Sequence, residues 1–86
     1  MDDWKYIIFD RNTPVLFPAS CTHSEIANAL KHIAKPTSAG RVAFGLTKDG
    51  KLSFKCYGQS ESLDLRALDT DARWINGVLG EFRFNR

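Results

Sequence analysis

The stretch Arg41 to Gly58, RVAFGLTKDGKLSFKCYG, constrains the fold more than any other, because its apolar residues fit only one hairpin register. A two-residue Asp49-Gly50 loop sets Phe44 opposite Lys55 and Leu46 opposite Ser53, which mixes core and solvent residues on each face. A three-residue loop, Lys48-Asp49-Gly50, with Gly50 in the left-handed region as the bulge residue, pairs Leu46 with Leu52, Phe44 with Phe54 and Val42 with Cys56. Every apolar residue then falls on one face, turned toward the core. The opposite face carries Arg41, Ala43, Gly45, Thr47, Ser53, Lys55 and Tyr57.

At 86 residues the chain is expected to form a single domain, 1–86, that must bury most of its Val, Ile, Leu, Phe and Trp to be stable. With 43% hydrophobic and 26% charged residues it is neither disordered nor membranous, and no apolar run approaches a spanning helix. Met1-Asp2-Asp3 is acidic where a signal peptide is basic, so a cytoplasmic protein is expected, with Cys21 and Cys56 reduced.

The remaining elements follow local signals. Lys5 to Asp10 is apolar on both alternating faces and is predicted to be a strand covered on both sides. Asp10 to Thr13 has turn chemistry, with Asn12 tolerant of positive φ. Pro14 to Pro18 returns as a short strand whose prolines confine it to an edge. Thr22-His23-Ser24-Glu25 matches a capping box, with Cys21 and Ile26 placed for a hydrophobic staple. The spacing of Ile26, Ala27, Leu30, Ile33 and Ala34 predicts a helix of about three turns, with Lys31, His32 and Lys35 at its negative end and Pro36 as its stop. Pro36 to Gly40 reads as a connector, and Ser60 to Leu65 as a brief strand or extended arm. Asp69 or Thr70 caps a second helix with a buried stripe of Ala72, Ile75, Val78 and Leu79, ended by Gly80; Glu81 to Phe84 reads as a last strand.

Set in order, and with the short strands discounted, these elements predict an α+β fold. Its small, antiparallel-rich sheet carries two helices on one face, in a ferredoxin-like (split βαβ) variant. A less regular ββαββα sandwich is the alternative, since Pro14 to Pro18 inserts before the first helix.

No catalytic signature stands out. Cys21, His23, His32 and Cys56 lack the paired spacing of a structural zinc site, and no metal or other cofactor is expected. Cys21 is explained as the staple and His23 as a first-turn surface residue, rather than as a nucleophile with its base. The carboxylates Asp10, Asp64, Asp69 and Asp71 each have a local role in a turn or at a helix start, and no glycine loop cradles a phosphate. The chain is therefore not expected to be an enzyme.

Charge is segregated along the sequence. Between residues 31 and 55, Lys31, Lys35, Arg41, Lys48, Lys51 and Lys55 face one carboxylate, Asp49, whereas residues 58 to 81 carry Glu61, Asp64, Asp69, Asp71 and Glu81 against Arg66 and Arg73. Such asymmetry suits the orientation of a charged partner, unless folding interleaves the two segments. GRVAFGL, Gly40 to Leu46, faintly resembles the basic-glycine-aromatic strand of RNA-recognition domains, but the register turns Phe44 and Phe54 inward and leaves Tyr57, with Tyr6, as platform.

YIIFD..TPVLFP, the Ser-Glu-Ile-Ala helix start, PTSAG, the hairpin ending CYG and the following SxSLxL together resemble small uncharacterised proteins carried by bacteriophages and integrated mobile elements. That resemblance implies a stoichiometric binding protein, similar in size and style to anti-CRISPR proteins, which inhibits a host defence protein. Its contact residues are expected at Arg41, Lys48, Lys51, Lys55 and Tyr57 on the hairpin and at Glu61 and Asp64 on the adjoining arm. The partner is expected to be a host protein, with no membrane role. The alternative is a small nucleic-acid-binding domain using the basic hairpin.

Overall fold

The strand Trp4–Phe9 (β1) is the centre of the assembly: Tyr6, Ile7, Ile8 and Phe9 are all fully buried, so side chains on both of its faces need a cover. The computed structural model, which describes residues 4–79, shows how each cover arises. β1 turns back into β2 (Thr13–Pro18), which occupies a sheet edge as its two prolines require. The turn takes positive φ at Asp10 (52°) and Arg11 (67°) rather than at Asn12. Lys35 holds it there, its N–H donating to Asp10 Oδ1 at 3.1 Å and its carbonyl accepting from the Asp10 N–H at 2.8 Å.

Thr22 caps α1 (His23–Ala29) through a complete capping box. The Glu25 N–H donates to Thr22 Oγ1 at 3.1 Å, and the Thr22 N–H donates to Glu25 Oε1 at 3.0 Å. The helix is shorter than its apolar spacing predicts. The Leu30 and Ile33 N–H groups donate to the carbonyls of Ala27 and Leu30, three residues back, which tightens the chain into successive turns. Ile33 consequently sits 77% exposed rather than on a buried stripe.

Pro36–Leu46 is one long strand, β3, so the segment 36–40 is not a connector but the half of β3 that pairs with β1. Its glycine at position 40 answers to close neighbours. A Cβ on Gly40 would stand 2.6 Å from the Tyr57 carbonyl oxygen and 3.3 Å from the Tyr6 ring. β4 (Leu52–Tyr57) then pairs with β3 in the predicted register, Val42 with Cys56, Phe44 with Phe54 and Leu46 with Leu52. The loop closes through the Thr47 N–H donating to the Lys51 carbonyl (2.8 Å), with Gly50 at φ 83°.

Gln59–Ser60 (β5) and Leu65–Arg66 (β6) pair as a two-stranded arm packed along the first half of β3, and Asp71–Leu79 forms α2. The Thr70 carbonyl accepts from the Trp74 N–H, which puts Thr70 at the cap. Val78, predicted to be buried, is half exposed. The predicted Gly80 terminator and the strand over 81–84 lie outside the described residues.

The fold is thus a small α+β structure with a four-stranded antiparallel sheet of order β2-β1-β3-β4 and two helices. The split βαβ topology does not form, and β2 is the reason. By reversing the chain once more before α1, it sets β3 antiparallel to β1, where a split βαβ needs those strands parallel. The sequence of elements follows the ββαββα alternative, with the β5–β6 arm inserted before α2.

Nor do the helices share a face. Ile7, Phe9, Phe17 and Ala39 pack with Ala27 of α1 on one side of the sheet; Tyr6, Ile8, Val42 and Phe54 pack with Ile75 of α2 on the other. A doubly apolar β1 could not be satisfied by two helices on one side.

Polar side chains fix α2 in place. Asp71, buried at its first turn, accepts from the Tyr6 hydroxyl (2.5 Å), the Ser38 hydroxyl (2.8 Å) and the Leu68 N–H (2.9 Å). Asn76 bonds both backbone groups of Phe54, accepting from its N–H at 2.9 Å and donating to its carbonyl at 3.1 Å, so α2 also caps the outer edge of β4. Among the described residues no buried side-chain polar atom lacks a partner, and no helix is long and apolar enough to cross a membrane.

Candidate binding face of the hairpin

β3 and β4 continue past the last residue that β3 pairs with β1, Val42, and the two faces of this extension differ. On the α2 side lie Phe44 and Phe54, whose rings meet at 5.8 Å, with Trp4 edge-on to Phe44 at 6.2 Å. Leu46, at the far end, has outrun that cover and is 59% exposed, so the inward turn expected of every apolar residue stops short of it.

The α1 side begins with a row across three strands, Lys5 opposite Arg41 and Arg41 opposite Tyr57. Beyond it come Ala43 opposite Lys55 and Gly45 opposite Ser53, and then the loop with Lys48 and Lys51. Alanine, glycine and serine leave a shallow hollow of about 360 Å³ beside Lys55. The α1 cover is confined to the half of the sheet around Ile7, Phe9 and Ala39; Arg41, Ala43, Gly45, Lys55 and Tyr57 are all exposed. The only carboxylate from Arg41 to Gly58 is Asp49, which accepts from the Thr47 hydroxyl at 2.7 Å.

The structure therefore brings together Arg41, Lys48, Lys51, Lys55 and Tyr57 on one projecting ribbon, and adds Lys5, which sequence reasoning passed over. Lys5 is half-buried, and its ammonium donates to the Cys21 carbonyl at 2.9 Å. Its place beside Arg41 depends on the β1–β3 register, for which the sequence offers no periodic signal.

Glu61 and Asp64 are not part of this face. They sit in the β5–β6 loop, against Thr37 and Leu68, about 30 Å of strand from Leu46 at the tip and about 13 Å from Arg41 at the root, at 3.3 Å per residue. Their surroundings are mixed in charge, with Arg66 in the same groove and Lys31 and Lys35 beside Leu63 in the next. Folding interleaves the acidic segment with cations while it leaves the hairpin cationic.

Two sequence readings, on Tyr6 and His23, need correction here. Tyr6 is no platform, being fully buried on the α2 side, where burial and its bond to Asp71 raise its pKa well above the usual phenol range. His23 is not a surface residue but 6% exposed, edge-on to Phe17 at 5.5 Å, with Nε2 donating to the Gly40 carbonyl at 2.9 Å. Burial, together with the nearby charges of Lys5 and Arg41, pulls its pKa below the ordinary imidazole value despite that hydrogen bond. The four nominal metal ligands lie apart: Cys21 and His23 on the α1 side, Cys56 on the α2 side, and His32 exposed in a turn. Burial pushes the Cys56 thiol up to about 11, so it is protonated at neutral pH.

Comparison with known proteins returned no matching family model, no similar curated protein and no similar solved structure.

Proposed function

We propose that this protein is a non-catalytic binding module that acts by occupying an acidic partner with the α1-side face of its β3–β4 hairpin. The observation that carries the reading is the row Lys5, Arg41, Tyr57, continued by Lys55 and the two loop lysines on an uncovered ribbon. A clustered cationic surface raises the encounter rate with an acidic partner and sets its orientation. The resemblance to phage and mobile-element proteins supplies the setting: the acidic partner is a component of the host. The β5–β6 arm, at the other end of the sheet, enters this proposal only as a second and independent contact.

The test is affinity capture from a bacterial host lysate with the wild-type protein and with Lys48→Glu, Lys51→Glu, Lys55→Glu combined, both checked for equal folding by circular dichroism. A component retained by the wild type is expected to be lost by the variant. Equal retention by both removes the hairpin from the proposal.

A further inference from the structure

Resting on the reading that the hairpin face is the contact surface, we infer that its ligand is a single-stranded nucleic acid, with Tyr57 as the stacking platform and Arg41, Lys55 and the loop lysines holding phosphates. Three features of the face separate this ligand from an acidic protein. Protein interfaces are depleted of lysine at their centre and rich in aromatic anchors. This face has a lysine at its middle, Lys55, and two more at the tip, Lys48 and Lys51, with one aromatic, Tyr57, 41% exposed.

The second feature is the smallness of the middle of the face. A Cβ built on Gly45 would meet nothing within 4 Å, and Ala43 precedes it, so an extended backbone can lie directly on the ribbon beside Lys55. Single-strand binders pair such a charged track with aromatic rings that accept any base on its π-face. Third, Tyr57 lies at the root of the ribbon, level with Lys5 and Arg41, not at the tip. A ring set back on the open sheet face is reached by an unpaired base and not by one stacked inside a helix.

Fluorescence anisotropy with a labelled mixed-sequence oligonucleotide of about 12 nucleotides, as DNA and as RNA, decides the matter. With about four phosphates engaged, affinity is expected to fall roughly 50-fold between 50 and 200 mM salt. Tyr57→Leu is expected to weaken binding about tenfold, and Tyr57→Phe, which keeps the ring, by less than about twofold. Tighter binding of the matching duplex, equal competition by polyglutamate, indifference to Tyr57→Leu, or no binding at low salt each overturns the inference. The wider reading fails separately: if the triple lysine reversal leaves both oligonucleotide binding and host capture intact, the hairpin is not the contact surface.

Discussion

The two halves of β3 live under different rules. From Ser38 to Val42 the strand is paired on both sides or packed against the arm, every residue but Arg41 is buried, and at Gly40 there is no room for a methyl group. From Ala43 to Leu46 it is one side of a ribbon with solvent on the α1 face, and only the alternation of side chains and the shape of the loop are specified. The first half holds the molecule together, and the second is free to be chosen for what it touches. Substitutions therefore belong to two scales of effect.

The largest loss is expected at Asp71. Replacement by alanine strands three donors, the Tyr6 and Ser38 hydroxyls and the Leu68 N–H, in the interior. At roughly 1–3 kcal/mol per buried group left unpaired, the expected destabilisation is at least about 3 kcal/mol, read from urea unfolding. Tyr6→Phe, which removes a donor instead of the shared acceptor, is expected to cost no more than about half as much. Equal losses in the two variants mean that Asp71 does not organise the root of the sheet.

Gly40→Ala comes next. The new methyl stands 2.6 Å from a backbone oxygen, that of Tyr57, and 3.1 Å from Ala67 Cβ, so β3 and β4 have to part. Overpacking of this kind costs about 1–3 kcal/mol, and it is also expected to shift Tyr57 amide and ring signals in NMR spectra. A variant as stable as the wild type contradicts the close approach on which the root is built.

This contrast also explains what could be read from the sequence. The ribbon was legible because one register satisfies six apolar positions at once, from Val42 and Phe44 to Phe54 and Cys56, and because Asp49-Gly50 announces a turn. The capping box at Thr22 and the double apolarity of β1 were legible for the same reason, each being a local rule. The segment 36–40 was not. Proline, threonine, serine, alanine and glycine in a row look like a linker, and only the neighbours Tyr6 and Tyr57 explain why Gly40 must be small. His23 looked exposed because its burial depends on tertiary contacts with Phe17 across the turn and with Gly40, 17 residues on. Asn76 gives no signal at all until α2 is laid beside Phe54. Of the candidate face, five members shared a short stretch and were found together; Lys5 needed a tertiary register.

A smaller effect is expected where the two regions meet. His23 is held neutral by its burial and by the nearby charges of Lys5 and Arg41, with its pKa below that of the unfolded chain. Its contribution to stability is complete above the ordinary histidine value near 6.5. It declines as pH falls below that value, with a slope no steeper than about 1.4 kcal/mol per unit, until the folded-state value is passed. The comparison is the loss of urea stability between pH 7.5 and 5.5 in the wild type and in His23→Gln. The wild type is expected to lose more. Identical losses mean that burial and the two nearby cations do not lower the imidazole's pKa.

The smallest effect is the sharpest test of the division. Gly45 lies on the same strand as Gly40, five residues on, yet a Cβ there meets nothing within 4 Å, and no positive φ is recorded for it. Glycine within a strand is disfavoured relative to alanine by about 0.5–1 kcal/mol, because the unfolded chain has more freedom to lose. Gly45→Ala is therefore expected to leave stability unchanged or raise it by about 0.5 kcal/mol, opposite in sign to Gly40→Ala. If stability rises while oligonucleotide affinity falls, then the glycine is kept for a backbone that lies against it, and the ribbon has been shaped by its ligand rather than by the fold. If both glycines destabilise on substitution, the ribbon is packed as tightly as the root, and the distinction between the two halves of β3 disappears.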